Sequence, residues 1–122
     1  MGLMDGKKGL VFGVANDRSY ATCIAKQLVE QGAECGFTYL PLGKMERRVT
    51  KATEGLGIND PWLAPCDAAS DQDLDTCFEK FAADFGRLDF VVHSIACAER
   101  EFLQLGNFHK TTREAFTQAL DI

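Results

Sequence analysis

The residues with the types and spacing to do chemistry begin with Gly13-Val14-Ala15-Asn16-Asp17-Arg18-Ser19. This stretch joins a short apolar run, Leu10 to Phe12, to a helical repeat of Ala21, Ile24, Ala25, Leu28 and Val29, with Ser19 where an N-cap belongs. A strand that feeds a tight turn and then a helix aims unpaired backbone N–H groups at the turn, and the helix dipole adds partial positive charge there. That chemistry suits an anion, and in an α/β chain often the diphosphate of a dinucleotide. The usual fingerprint is G-x-G-x-x-G. Here a single glycine is followed six residues later by Ser19, so a ligand-free strand–helix connection stands beside the anion reading.

Three further residues carry reactive groups. Asp67 closes the run Trp62-Leu63-Ala64-Pro65-Cys66 and can accept hydrogen bonds from an exocyclic amine or serve as a turn residue. His93 ends another apolar run, where a titrating imidazole could act as an acid or a hydrogen-bonded imidazole could be structural. Cys97 follows it as a candidate nucleophile with no base nearby in sequence, and so reads equally as a bland thiol. His109 reads as a loop residue. The five cysteines form no C-x-x-C pair, and Cys23, Cys35 and Cys77 fall within apolar patterns. Buried thiols in a reducing cytoplasm fit better than metal or disulfide roles, and no metal site is expected.

The elements that must position these groups alternate strand and helix. The spacing predicts strands at Leu10–Phe12, Cys35–Leu40, Trp62–Cys66 and Leu88–Ile95, with Pro65 arguing for a sheet edge. It predicts helices after Ser19, over Lys44–Leu56, after Ser70, and from a capping box at Thr111-Thr112-Arg113-Glu114. Gly32 and Gly86 stop the first and third helices. The third has the clearest stripe, Leu74, Cys77, Phe78, Phe81, Ala82 and Phe85, read as core, with Asp71, Asp73, Asp75, Glu79 and Lys80 facing away. Phe116, Ala119 and Leu120 give the last helix an apolar face. Such alternation means a doubly wound parallel sheet with right-handed crossovers. In a 3-2-1-4 strand order the ligand crevice lies beyond strands one and four, where Gly13–Ser19 and Ser94–Ala98 would meet.

The 122 residues fit one domain, 46% hydrophobic and with net charge −5. That charge argues against non-specific nucleic-acid binding. No apolar run is long enough for a membrane span, and the first residues carry no signal-peptide core.

Together these stretches resemble the bacterial NADH-dependent enoyl-(acyl carrier protein) reductases of the short-chain dehydrogenase/reductase superfamily. The resemblance rests on Gly6-Lys7, Gly13-Val14-Ala15 with Asn16-Asp17-Arg18-Ser19, Gln31-Gly32-Ala33-Glu34, Phe37-Thr38-Tyr39, Cys66-Asp67, Leu88 to Ala96 and Thr112-Arg113-Glu114. It covers the whole chain. It implies a Rossmann-type sheet and reduction of the trans-2 double bond of an enoyl chain on acyl carrier protein, in fatty acid biosynthesis, with hydride from NADH. It also implies a cytoplasmic enzyme that assembles as a homo-oligomer, a tetramer at full length. By the same resemblance Gly13, Ser19 and Tyr20 line the diphosphate, Asp67 and Ala68 meet the adenine, Ile95 flanks ribose and nicotinamide, and Ala98 lies near the acyl substrate. Leu40 falls at the ribose-reading position.

The chain also departs from that family. Leu40 stands where a glutamine is usual, Ala68 where valine is usual, and Tyr20 where isoleucine is common. The family's catalytic Tyr-x6-Lys pair has no counterpart, since Tyr20 and Tyr39 are followed seven residues on by Gln27 and Glu46. The expectation is therefore a truncated NAD(P)-binding domain over residues 1–122, inactive alone and with no catalytic residue of its own. The competing reading is a non-catalytic nucleotide-binding fragment that partners a full-length short-chain reductase. A receiver-like domain would need clustered acids at strand ends, and Asp67 stands alone there.

Overall fold

Leu10, Val11 and Phe12 alternate between two apolar layers, which is what a strand buried on both faces requires. The computed structural model describes all residues 1–122. In it β1 (Lys8–Phe12) lies at the centre of a sheet with β2 (Glu34–Tyr39), β3 (Leu63–Pro65) and β4 (Phe90–His93), in the order β3-β2-β1-β4. All pairings are parallel, with Leu10 opposite Gly36 on one side and Val91 on the other. The expected strand order and the edge position of Pro65 are both found. Strands β3 and β4 are shorter than the sequence predicts, β1 begins two residues earlier at Lys8, and β2 is shifted by one residue, ending at Tyr39 where Leu40 leaves the sheet.

Helices cover both faces. Helix α1 (Tyr20–Glu30) and helix α2 (Met45–Glu54) enclose Val11, Phe37, Ala21, Ala25 and Val49. Helix α3 (Asp71–Phe85) encloses Leu10, Phe12, Ala64, Cys77 and Phe81 on the other face. Gly32, at φ +97°, ends α1, and the N–H groups of Gly32 and Ala33 donate back to Val29 O and Leu28 O. Ser70 caps α3 by accepting from the Asp73 N–H at 3.2 Å. Helix α4 (Arg113–Asp121) follows two short 3-10 turns, Arg100–Leu103 and Phe108–Lys110, within the stretch expected as loop. No helix is long and apolar enough to cross a membrane.

Several expectations are corrected. The last helix is capped by Thr112, whose hydroxyl accepts from Ala115 N–H, so the Thr111–Glu114 capping box does not form. Ile24 is exposed, and Thr22 is buried in α1 because its hydroxyl donates to Asn16 O at 2.6 Å. Ala82 falls off the buried stripe of α3, and Asp73 turns inward rather than away. Val91 is 47% exposed because α3 covers β1 and β3 but leaves that side of β4 bare. Phe116 and Leu120 are likewise exposed, so the apolar face of α4 has no cover within the chain.

The cysteines divide by burial. Cys23 and Cys97 are exposed, which corrects the reading of Cys23 as buried, while Cys66 and Cys77 are in the core and Cys35 is half-buried. Burial pushes the Cys35 thiol up to about 11. Burial, with the Cys66 thiol beside it, pushes Cys77 up to about 12, and Cys66 also rises by burial. A raised thiol value means that these groups stabilise the fold fully below the ordinary thiol range and progressively less as pH rises through the folded values. Ellman's reagent at pH 8 is expected to modify Cys23 and Cys97 at once. The other three should react only at the rate of opening, and prompt reaction of all five would contradict this packing.

Candidate functional site

The crossover from β1 to α1 is built by local hydrogen bonds. Ser19 occupies the N-cap position of α1 at φ −59° and ψ 142°, yet its side chain does not cap the helix. Its hydroxyl oxygen instead accepts from the N–H groups of Ala15 and Asn16, each at 3.1 Å. The Asn16 side chain accepts from Arg18 N–H at 2.8 Å, which closes a second small turn. These bonds stiffen the loop and leave the amides of Gly13, Val14, Tyr20 and Ala21 with no acceptor in the chain. With both acceptor sites of Ser19 engaged, its hydroxyl hydrogen remains a donor.

Replacing Ser19 by alanine strands the Ala15 and Asn16 amides at a partly solvated turn. The expected loss is about 1–2 kcal/mol, read as a lower urea midpoint with unchanged slope. An unchanged midpoint would show that the two bonds do not hold the turn.

Gly13 is fixed by its surroundings. Its φ is +110°, and a Cβ there would lie 2.0 Å from the Ser94 carbonyl oxygen. The Ser94 N–H in turn donates to Phe12 O at 3.2 Å, carrying the β1–β4 pairing one residue past the strand. The loops after β1 and β4 therefore meet as the strand order predicts. A cleft of about 520 Å³ opens beyond them, and its walls include Gly13, Leu40, Asp67, Ala68 and Ile95. Leu42, Met45 and Ala96 make its lining largely apolar. The other expected site residues, Ser19, Tyr20 and Ala98, do not line the cleft: Ser19 is half-buried, Tyr20 is 84% exposed on α1, and Ala98 is exposed.

Asp67 is held from two sides. Its N–H donates to the Asp73 carboxylate at 2.9 Å, and its own Oδ1 accepts from Ala69 N–H at 3.0 Å. Asp73 thus belongs to the site's support, and the legible signal was its place three residues after the Ser70 cap, at the mouth of α3. Tyr39 also lines the cleft. Desolvation raises its phenol above the ordinary range, and the Glu46 carboxylate beside it raises it further. Gln118 and Ile122 of the last segment line the cleft too, with no sequence motif to mark them.

His93 ends β4 opposite Phe12 and is exposed without a hydrogen bond in the chain, so the hydrogen-bonded structural histidine is not found. Cys97 lines the cleft, but neither histidine does. No cluster of three metal-ligating side chains occurs.

A family model described as enoyl-(acyl carrier protein) reductase matches residues 13–122. The enoyl-(acyl carrier protein) reductase (NADH) of Nostoc sp. is 41% identical over 98% of this chain, and that of Aquifex aeolicus is 40% identical over all of it. The chain spans 46% and 44% of the lengths of those two proteins. The structure of the Anaplasma phagocytophilum reductase in complex with NAD superposes with a TM-score of 0.87 at 39% identity, over 99% of this chain and 45% of that one.

Proposed function

Because this chain belongs to the enoyl-(acyl carrier protein) reductase family, we propose that its 122 residues hold NADH for reduction of the trans-2 double bond of an enoyl chain on acyl carrier protein. The observation that carries this reading is the crossover turn. The amides of Gly13 and Val14 after β1, and of Tyr20 and Ala21 at the start of α1, have no acceptor in the chain, and the Ser94 carbonyl leaves no room for a side chain at Gly13. Such a cradle suits a diphosphate and costs nothing further to organise, since Ser19 and Asn16 already brace it.

In this reading Gly13 faces the diphosphate in the cleft, and Ser19 and Tyr20, outside the cleft lining, approach it from the start of α1. The fixed Asp67 and the small Ala68 receive the adenine. Leu40 gives the adenosine ribose an apolar contact in place of a hydrogen bond. Ile95 flanks the nicotinamide ribose, and Ala98 stands toward the acyl chain. The chemistry that NADH supplies when bound is donation of a hydride to the enoyl double bond. The chain's own residues bind and orient, and none of them supplies the proton to the developing enolate, because no Tyr-x6-Lys pair occurs among them.

The expected result is a saturable change in nicotinamide fluorescence when the folded chain is titrated with NADH, with no enoyl-dependent NADH oxidation by the chain alone. A flat titration of a folded sample would overturn the binding assignment. Turnover would overturn the assignment of this chain as a holding module.

A second reading, a nucleotide-holding partner of a full-length short-chain reductase, is favoured by the bare side of β4 and the exposed Phe116 and Leu120. Native mass measurement of the mixture tests it, and the absence of a mixed oligomer would remove it.

A further inference from the structure

Three threonine side chains are buried: Thr22, Thr38 and Thr53. Two of them are served within the chain. The Thr22 hydroxyl donates to Asn16 O at 2.6 Å, and the Thr53 hydroxyl donates to Thr50 O at 2.9 Å. Thr38 is only 6% exposed, yet its hydroxyl has no partner in the chain. No side-chain polar atom is both sealed off and unpartnered, so the Thr38 oxygen keeps an opening, and Thr38 stands on the wall of the cleft beyond β1 and β4. A hydroxyl in such a place has given up bulk water and gained no protein partner in return. Whatever fills the cleft must supply that partner.

Thr38 stands opposite Ala64 in the β2–β3 register, so the two side chains share a face of the sheet. Ala64 belongs there to the apolar layer of Phe12 and Cys66 under α3, which offers Thr38 no polar neighbour of its own. Two residues beyond Ala64, Cys66 leads into Asp67 and Ala68 on the same wall of the cleft. The free hydroxyl therefore lies on the side where the adenine is placed. Asp67 uses Oδ1 to accept from Ala69 N–H and keeps Oδ2. A carboxylate only accepts, so it suits the 6-amine of adenine, while the ring nitrogens need a donor from elsewhere. The Tyr39 phenol, next along β2, packs on the opposite layer and is engaged by Glu46. We propose that Thr38 is a base-reading residue of the cleft, its hydroxyl donating to a ring nitrogen of adenine while Asp67 takes the amine. This rests on the placement of the dinucleotide proposed above.

The test is Thr38→Val, which keeps the β-branched shape and removes the hydroxyl. Because that hydroxyl has no partner in the free chain, the urea midpoint is expected to stay level or rise. NADH, followed by nicotinamide fluorescence, should bind about five- to tenfold more weakly, and ADP-ribose competing with NADH should lose affinity by the same factor. Thr38→Ser, which restores the hydroxyl, should return both affinities to within about twofold of the original. A marked fall in the Thr38→Val midpoint would give the hydroxyl a structural role and overturn the inference. Loss of NADH affinity with ADP-ribose unaffected would put the contact on the nicotinamide half, and equal loss in the valine and serine forms would make it a matter of shape. Either result overturns base reading by the hydroxyl. Unchanged NADH affinity in Thr38→Val overturns this inference alone, whereas failure of the folded original chain to bind NADH overturns the proposed function and this inference with it.

Discussion

Gly13→Ala is expected to cost the fold about 3 kcal/mol or more and to abolish measurable NADH binding. Two independent effects add. At φ +110° an alanine sits in backbone territory open in practice only to glycine, a strain of order 1–3 kcal/mol. Its Cβ would also lie 2.0 Å from the Ser94 carbonyl oxygen, so the loops after β1 and β4 must separate. That separation strains the Ser94 to Phe12 hydrogen bond and tilts the amides of Gly13 and Val14 away from the cleft. Urea unfolding and NADH titration of the same sample check both parts. A variant that unfolds at the original midpoint and still binds NADH would show that the approach of Ser94 to Gly13 is not a constraint on the site.

The second large effect lies behind the site. Phe81→Ala is expected to destabilise the chain by about 3–5 kcal/mol, a large share of the total for a domain of this size. Phe81 is 1% exposed, stacks on Phe85 at 4.2 Å between centroids and meets Trp62 edge-on at 5.4 Å. Its ring fills the space above Gly36 of β2, with Trp62 beside it. The cavity left by alanine can be closed only by moving α3 toward the sheet, and Trp62, tied to Asp84 by a 2.7 Å hydrogen bond, resists that. Because α3 also carries Asp73, the loss should loosen the Asp67 amide and weaken NADH more than a surface change would. Leu74→Ala, at a partly buried position on the same helix, is the control and should cost less. Equal costs would mean that Phe81 is not the anchor of that face.

The architecture was legible because it is carried by strong local signals. Alternating strand and helix patterns, Gly32 as a helix stop, Ser70 as a cap and Pro65 as an edge marker depend on short-range physics, and all four are found. The meeting of the Gly13 and Ser94 loops followed from strand order alone. What periodicity could not show was which apolar residues would have something to lie against. Val91, Phe116 and Leu120 have the right spacing and no neighbour to cover them, so they are exposed.

Polar details were less legible still, because short side chains choose among several nearby partners of similar worth. Ser19 has the sequence of a helix cap but accepts from Ala15 and Asn16 behind it, since those amides have no other acceptor. Asp73 reads as a solvated helix residue and instead fixes Asp67.

The central position of β1 also dictates an order of assembly. Joining it to β2 closes a short loop, comparable to that between Leu3 and Gln31, 28 residues apart. Joining it to β4 brings together residues as distant as Lys8 and Asp89, 81 apart, at an extra chain-entropy cost of about 1 kcal/mol. The two-stranded half with its helices is therefore favoured to form first and the fourth strand to arrive late. One wall of the cleft arrives with it. A ligand that needs both walls can trap the finished fold but cannot guide the early steps toward it.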